Sequence, residues 1–258
     1  MSVPVVFSTG SLFPFGLERV YGWVSESGYD GVEVMMDERW DTHQEDYLSA
    51  LSKEHGVPVR ALHPPLGAGA WRLDPGETLV RVARLARRLG ADAVVAHPPP
   101  PGRAQEAWSA GPLAEARKEG VAVAVENMPP RTARRFPFLR RSPGSSYLPG
   151  HLAGLGDVTL DTSHVGAARL DLLEVFSELS GRLRHVHLSD SRLTGRDEHR
   201  VPGRGKMPLK ELLAALGPSG YPGVVSLELK PWPLGAPEPR EIQARMREAL
   251  EFVRDGLA

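Results

Sequence analysis

Eight short apolar segments, spread along the whole chain, place the strongest restriction on what it can fold into. Stretches with helical spacing of apolar residues lie between most of them, and several of these stretches end in Gly, as helices commonly do. Apolar strands that alternate with helices are typical of parallel β/α units, and eight units predict a closed (β/α)8 TIM barrel. The segments are VPVVFS (3–8), GVEVMM (31–36), PVRALH (58–63), DAVVAH (92–97), VAVAVE (121–126), DVTLD (157–161), LRHVHLSD (183–190) and GVVSLEL (223–229).

The length of 258 residues fits one barrel domain over residues 1–258, although two small domains would have the same length. An open doubly wound sheet is the alternative fold, and it normally carries a glycine-rich phosphate-binding sequence after its first strand. The sequence FSTGSLFPFG, which follows the first apolar segment, is not of that kind. We therefore predict a single α/β domain of the barrel class.

The segment 127–150, NMPPRTARRFPFLRRSPGSSYLPG, differs from the rest of the chain. It is rich in Pro and Arg and has little helical periodicity. Loops of this length in a compact domain are usually functional or disordered. We predict a long loop after the fifth strand, with a short helix around Tyr147 to Leu155.

Composition narrows the possible partners. The formal net charge is −1, which argues against a surface that is basic overall and that attracts nucleic acid non-specifically. The chain has no cysteine, so any metal ion must be held by His, Asp and Glu. The N-terminus has no signal-peptide pattern, and no apolar run approaches the roughly 18 residues of a membrane span. We expect a cytoplasmic protein with no membrane partner.

Ionisable side chains stand at the ends of seven of the eight apolar segments. In a barrel these ends meet at one mouth, where the loops converge. A buried unpaired charge costs several kcal/mol, so apolar strands seldom end this way without a partner or a metal ion. The residues are Glu33, His63, His97, Glu126, Asp161 with His164, His187 with Asp190, and Glu228, joined by Asp197 and His199 from the loop after the seventh strand.

Each of these residues taken alone has an ordinary structural explanation. A single His at a strand end is more often a hydrogen-bonded structural residue than a ligand, Asp161 could cap the following turn, and Glu126 or Glu228 could pair with an Arg. The set taken together indicates a metal site, and imidazoles with carboxylates suit zinc or manganese. We interpret His43, His55 and His151 as solvated surface residues. His185, two residues before His187, faces the same way and could support that ligand.

The motifs ALHPP, AHPPP, VENMP, LDTSHVG, HVHLSDS, DEHRVPGRG and LELKP resemble the xylose isomerase-like TIM-barrel superfamily, which includes sugar isomerases, sugar phosphate epimerases and the endonuclease IV nucleases. The resemblance runs over nearly the whole chain. It implies a shared metal site of Glu126, Asp161, His187 and Glu228. This quartet is common to the isomerase and nuclease branches, so it does not identify the reaction.

The remaining ligand types match the trinuclear zinc cluster of the endonuclease IV branch. The resemblance implies that His63, His97 and Glu126 hold one ion, that the quartet holds a second, and that His164, Asp197 and His199 hold a third. In the epimerase branch, His164 would instead contact a substrate hydroxyl. The histidine contexts and the loops, with GVEV at Glu33, look more like sugar phosphate isomerase/epimerase-type members than like an abasic-site nuclease.

Two enzyme functions therefore remain open. We favour a metal-dependent isomerase or epimerase for a small sugar or sugar phosphate, with one to three divalent ions, in which Glu126 and Glu228 transfer the proton. The alternative is an endonuclease IV-like zinc phosphodiesterase that acts on abasic-site DNA or another phosphoester. Glu33, His164, Arg131, Arg134 and Arg135 are candidate substrate contacts. The Arg-rich loop could equally be solvated or form a homo-oligomer contact.

Overall fold

The computed structural model describes residues 2–66, 71–129 and 149–258, and its centre is a closed barrel of eight parallel strands in sequence order. Pairing of the first strand with the last closes the barrel, with Val5 opposite Val225. The predicted (β/α)8 fold is therefore confirmed. The strands are β1 Val5–Ser8, β2 Val32–Met35, β3 Val59–His63, β4 Ala93–Ala96, β5 Ala122–Glu126, β6 Val158–Asp161, β7 Leu183–Leu188 and β8 Val224–Leu227.

Helices connect the strands around the outside of the barrel. The third helix shows how the sequence sets their ends: Asp74 accepts hydrogen bonds from the backbone of Gly76 and Glu77, and Gly90 ends the helix at a φ of 70°. The helices are α1 Leu17–Ser27, α2 Glu45–His55, α3 Pro75–Leu89, α4 Arg103–Trp108, α5 Ala114–Arg117, α6 Thr162–Ala168, α7 Leu172–Leu179, α8 Leu209–Leu216 and α9 Pro239–Leu257.

The connection between β4 and β5 was not recognised in the sequence as helical. A π-helical segment, Ser109–Leu113, joins α4 to α5 and contains Pro112. Gly111 and Pro112 interrupt the helical pattern, because Pro removes a backbone donor and Gly disfavours the helix. Tertiary packing keeps the segment helical, since Leu113 and Ala116 are buried in the core.

The main core lies between the barrel wall and the helices. Leu62 on β3 and Val94 on β4 are fully buried, as are Val82 and Ala86 on the inner face of α3. Truncation of such a buried Leu to Ala typically costs about 2–5 kcal/mol. This outer core holds the barrel together and leaves the inner face of the strands available for polar side chains.

Strand register decides which side chains share the barrel interior. Asp161 pairs with His187, and His187 pairs with Ser226, so these three residues lie on the same face of the wall. Glu126 stands at the end of β5 and Glu228 directly follows β8. The predicted strand ends therefore converge at the carboxyl end of the barrel.

Much of the predicted loop at 127–150 lies outside the described residues. Of the short helix expected around Tyr147 to Leu155, the structure describes a 3-10 turn at Pro149–Leu152. Among the residues that the structure describes, no helix is long and apolar enough to cross a membrane.

Candidate metal centre

Three adjacent groups of side chains at the barrel mouth could each hold a metal ion, and a fourth such group, of Glu33, His185 and His187, lies beneath them. Within each group the candidate donor atoms lie within 4.8 Å of one another. Glu126 belongs to the first and second groups, and Asp161 belongs to the second and third. The first, second and third groups, those at the mouth, are His63, His97 and Glu126; Glu126, Asp161, His187 and Glu228; and Asp161, His164 and His199.

The central group surrounds His187. Its Nδ1 atom lies 2.9 Å from Oε1 of Glu126, 3.0 Å from Oε2 of Glu228 and 3.8 Å from Oδ2 of Asp161. The side chain of Glu126 is 1% exposed, whereas that of Glu228 is 15% exposed. Glu228 is thus the carboxylate that a molecule entering the mouth can reach more easily.

The first group lies at the ends of β3, β4 and β5. Nε2 of His63 is 3.1 Å from Nε2 of His97, and that atom of His97 is 2.6 Å from Oε2 of Glu126. Nδ1 of His63 donates to the backbone oxygen of Pro64 at 2.7 Å. Because this bond occupies Nδ1, the Nε2 lone pair of His63 is directed into the group.

The third group is built on the turn that begins α6. Asp161 is the N-cap, and its Oδ1 accepts from the backbone nitrogen of His164 at 2.9 Å. Nδ1 of His164 donates to the backbone oxygen of Asn127 at 2.7 Å. Asp161 therefore caps the helix, as its ordinary explanation predicted, and also offers Oδ2 to two groups.

The loop after β7 completes this third group. Nε2 of His199 lies 2.9 Å from Oδ1 of Asp197, and Nδ1 of His199 donates to the backbone oxygen of Glu228 at 3.0 Å. Asp197 is also 4.0 Å from Nε2 of His164. All nine predicted ligands are therefore brought together in one continuous cluster.

Three supporting residues were missed in the sequence. Ser163 donates to Asp197 at 2.7 Å and accepts from the backbone nitrogen of His199 at 3.0 Å, which fixes the loop. Asn127 is bonded to both backbone groups of Asp161. Lys230 lies 3.7 Å from Oδ2 of Asp197. The only signal for Ser163 and Asn127 was their position beside predicted ligands.

Burial and charge shift the pKa values of the cluster strongly. Burial raises the pKa of Asp161 to about 6, and the nearby histidines only partly oppose this. Burial would also raise the pKa of Glu228, but the positive charges of His187 and His199 outweigh it and hold the pKa at about 2. For His187 burial lowers the pKa, yet the carboxylates of Glu33, Glu228 and Glu126 raise it well above its usual value.

The five residues predicted to contact substrate do not lie together among the described residues. Glu33 is fully buried below His187, where Oε2 is 2.9 Å from Nε2 of His187 and 2.6 Å from Nε2 of His185. His164 lies within the cluster. Arg131, Arg134 and Arg135 lie outside the described residues.

Two of the histidines predicted at the surface are placed differently. His43 is buried, so its prediction was wrong: its ring packs edge-on against Trp71, and Nδ1 contacts the backbone oxygen of Arg39 at 3.0 Å. His55 is half-buried beside Tyr21. His151 is exposed, in agreement with its prediction.

The family model described as "Xylose isomerase-like TIM barrel" matches residues 21–255. The chain belongs to this family. An uncharacterised protein of Mycobacterium tuberculosis is 34% identical over 99% of this chain and 98% of its own length. Fructoselysine 3-epimerase of Escherichia coli O157:H7 is 36% identical over 32% of this chain and 28% of its own length.

Among solved structures, that of a D-tagatose 3-epimerase-like protein superposes with a TM-score of 0.71. It is 20% identical, and the match covers 99% of this chain and all of that one. At this identity the likeness concerns the fold, and it covers nearly the whole chain.

The cluster of this xylose isomerase-like chain suits a divalent cation. Oδ2 of Asp161 is buried without a hydrogen-bond partner, although three imidazoles lie 3.5–4.0 Å away. An unpaired buried carboxylate oxygen is costly, and a cation shared with neighbouring donors would satisfy it. Imidazole and carboxylate donors without sulfur fit zinc or manganese.

Proposed function

We propose that this chain is a divalent-metal-dependent isomerase or epimerase for a small sugar or sugar phosphate. The observation that carries the proposal is the pair of carboxylates, Glu126 and Glu228, each about 3 Å from the same nitrogen of His187. The similarity of part of the chain to fructoselysine 3-epimerase supports the same class of reaction.

The proposed ion, zinc or manganese, would be held by Glu126, Asp161, His187 and Glu228, and it would polarise a substrate carbonyl so that the neighbouring carbon becomes more acidic. Burial alone would raise the pKa of both glutamates, but the charges of nearby histidines keep both below the usual value. Both carboxylates are therefore ionised at neutral pH and able to accept a proton.

The two glutamates would act on opposite steps of the transfer. Glu228, the more exposed, would take the proton from the carbon and become neutral. Glu126 would first take up a proton from solvent and then deliver it to the neighbouring position or the opposite face, and Glu228 would release its proton to solvent at the end of the turnover. A cavity of about 230 Å³ beside His97, with apolar walls from Pro65, Leu66 and Trp108, offers space for the rest of a small substrate. His164 would contact a hydroxyl, and Arg131, Arg134 and Arg135 would contact a phosphate if the substrate carries one.

The test is proton exchange. The purified protein, with Zn²⁺ or Mn²⁺, is incubated in D₂O with a panel of ketoses, aldoses and their phosphates, and deuterium incorporation next to the carbonyl is followed by NMR. We expect exchange in the parent and a loss of at least about 100-fold in Glu126→Gln and in Glu228→Gln. Glu115→Gln, on the outer helix α5, is the matched control. Absence of exchange with every sugar would reject the proposal.

A second candidate is a multinuclear phosphodiesterase of the endonuclease IV type, acting on abasic-site DNA or another phosphoester. One specific observation favours it: Glu126 links the first group to the central one, Asp161 links the central group to the third, and an isomerase needs only the central group. Additional cations at the outer groups would stabilise developing negative charge on phosphate oxygens.

Metal counting separates the two candidates. The metal content of the parent and of Asp197→Ala/His199→Ala is measured together with cleavage of an abasic-site duplex. If the parent binds three ions and cleaves the duplex, and the double variant binds two ions and does not, the nuclease would replace the isomerase as the proposed function. One ion in both proteins, with no cleavage by the parent, would eliminate the nuclease.

A further inference from the structure

A second layer of buried charge lies directly beneath the metal centre. Glu33, His185 and His187 are all fully buried in the barrel interior. The same oxygen, Oε2 of Glu33, lies 2.6 Å from Nε2 of His185 and 2.9 Å from Nε2 of His187. These are hydrogen-bond distances, so one carboxylate oxygen accepts from two imidazole N–H groups.

This contact determines which nitrogen of His187 faces the mouth. Because Nε2 of His187 carries the hydrogen donated to Glu33, Nδ1 is the atom left to ligate a cation. Nδ1 is the atom that lies about 3 Å from both Glu126 and Glu228. A carboxylate behind a ligating imidazole also increases its basicity, which strengthens binding to a cation.

The position of Glu33 argues against direct contact with a substrate. Its side chain has no exposed surface; among the described residues its Oε2 accepts from the two imidazoles, and its Oε1 is buried without a hydrogen-bond partner. Burial by itself would raise its pKa, but the charges of His187 and His185 and their hydrogen bonds lower it. A carboxylate in this place is costly unless it serves a partner, and the partner that reaches the mouth is His187.

We propose that Glu33 is a positioning residue that fixes the orientation and the tautomer of His187 for metal binding. The proposal rests on the metal requirement of the proposed function and not on which reaction follows. Glu33→Gln keeps the size of the side chain, but its amide offers only one acceptor oxygen and adds a donor. That one oxygen can still accept from both imidazoles, as Oε2 of Glu33 does, but the negative charge that strengthens both bonds and raises the basicity of His187 is lost.

The experiment measures affinity for Zn²⁺ by competition with a chromophoric chelator, in the parent, in Glu33→Gln and in His185→Gln. The ion of interest is the one whose binding is lost in His187→Gln. We expect Glu33→Gln to weaken the affinity for that ion by about 10–100-fold. His185→Gln, the matched control, leaves the Glu33–His187 bond in place and should change affinity less than threefold. Equal weakening in both variants, or none in Glu33→Gln, would overturn the proposal.

A measurement on the parent protein keeps the proposal testable if a variant does not fold. Long-range ¹⁵N–¹H spectra of the Zn²⁺-loaded protein identify which ring nitrogen of each histidine carries hydrogen. We expect hydrogen on Nε2 of His187, and hydrogen on Nδ1 of His187 would overturn the proposal. A parent that binds no divalent ion would reject the metal site itself, whereas binding without any sugar reaction would reject only the proposed function.

Discussion

Four histidines of the cluster are held in two different ways. His63, His164 and His199 donate Nδ1–H to backbone oxygens, whereas His187 uses Nε2 toward the buried carboxylate of Glu33. A backbone oxygen is neutral and is fixed by the chain, but a carboxylate adds negative charge behind its imidazole. The central group should therefore bind a cation more tightly than the two outer groups.

The largest expected effect comes from removing every ion. Chelation with EDTA should abolish activity and lower the melting temperature, because the closely spaced carboxylates of Glu126, Asp161 and Glu228 then repel one another without a cation. Calorimetry before and after chelation, with Zn²⁺ or Mn²⁺ added back, measures the change. Complete loss of metal with an unchanged melting temperature would contradict this prediction.

Single substitutions should distinguish the central group from the outer groups. His187→Gln removes the nitrogen shared by both glutamates, and under the isomerase proposal it should lower activity by at least about 100-fold. His63→Gln should leave the central ion in place and cost much less. Metal content by mass spectrometry, measured beside activity, tests the difference. Equal losses in the two variants would indicate one indivisible cluster.

The pH dependence of the metal-free protein should also differ between the groups. Burial opposes the charged form of His199, but Asp161, Glu228 and Asp197 outweigh it and raise its pKa to about 10. A raised folded-state pKa stabilises the fold below the unfolded value near 6.5, and this contribution is lost as pH rises through about 10. Asp161 has a raised pKa of about 6, so its ionisation also lowers the stability of the fold as the pH rises from about 4 to about 6.

We therefore expect the melting temperature of the EDTA-treated protein to fall from pH 6 to pH 10. His199→Gln should make the fall less steep between about pH 6.5 and pH 10, while the contribution of His187 persists. A melting temperature that rises over this range would contradict the assigned pKa directions. With metal bound, affinity should instead increase with pH, because protons compete with the ion for the same nitrogens.

The smallest effect is expected from the loop that supports the third group. Ser163→Ala removes the hydrogen bonds to Asp197 and His199, which should cost about 1–3 kcal/mol of stability. Under the isomerase proposal activity should drop only a few-fold. Ser180→Ala, whose hydroxyl bonds within its own exposed turn, is the control. A drop as large as that of His187→Gln would show that the third group is essential.

Several features of the fold followed from local sequence. Apolar strands alternating with helical stretches were sufficient to predict the barrel, because each strand is buried on its outer face by a helix. The π-helical segment around Pro112 was missed, since local propensity disfavours a helix there and burial of Leu113 outweighs it. His43 was wrongly predicted to lie at the surface, because its burial depends on Trp71, which is distant in the sequence.

By itself the sequence determined the fold class and the types of donor at the strand ends, because these depend on periodicity and on residue chemistry along the chain. Only the tertiary structure decided how the donors combine. Closure of the barrel brings Glu33 on β2 within 2.9 Å of His187 on β7, a contact between residues 154 positions apart. Sequence order carries no information on that contact, since it depends on barrel closure and strand register, which turn both side chains toward the same interior point.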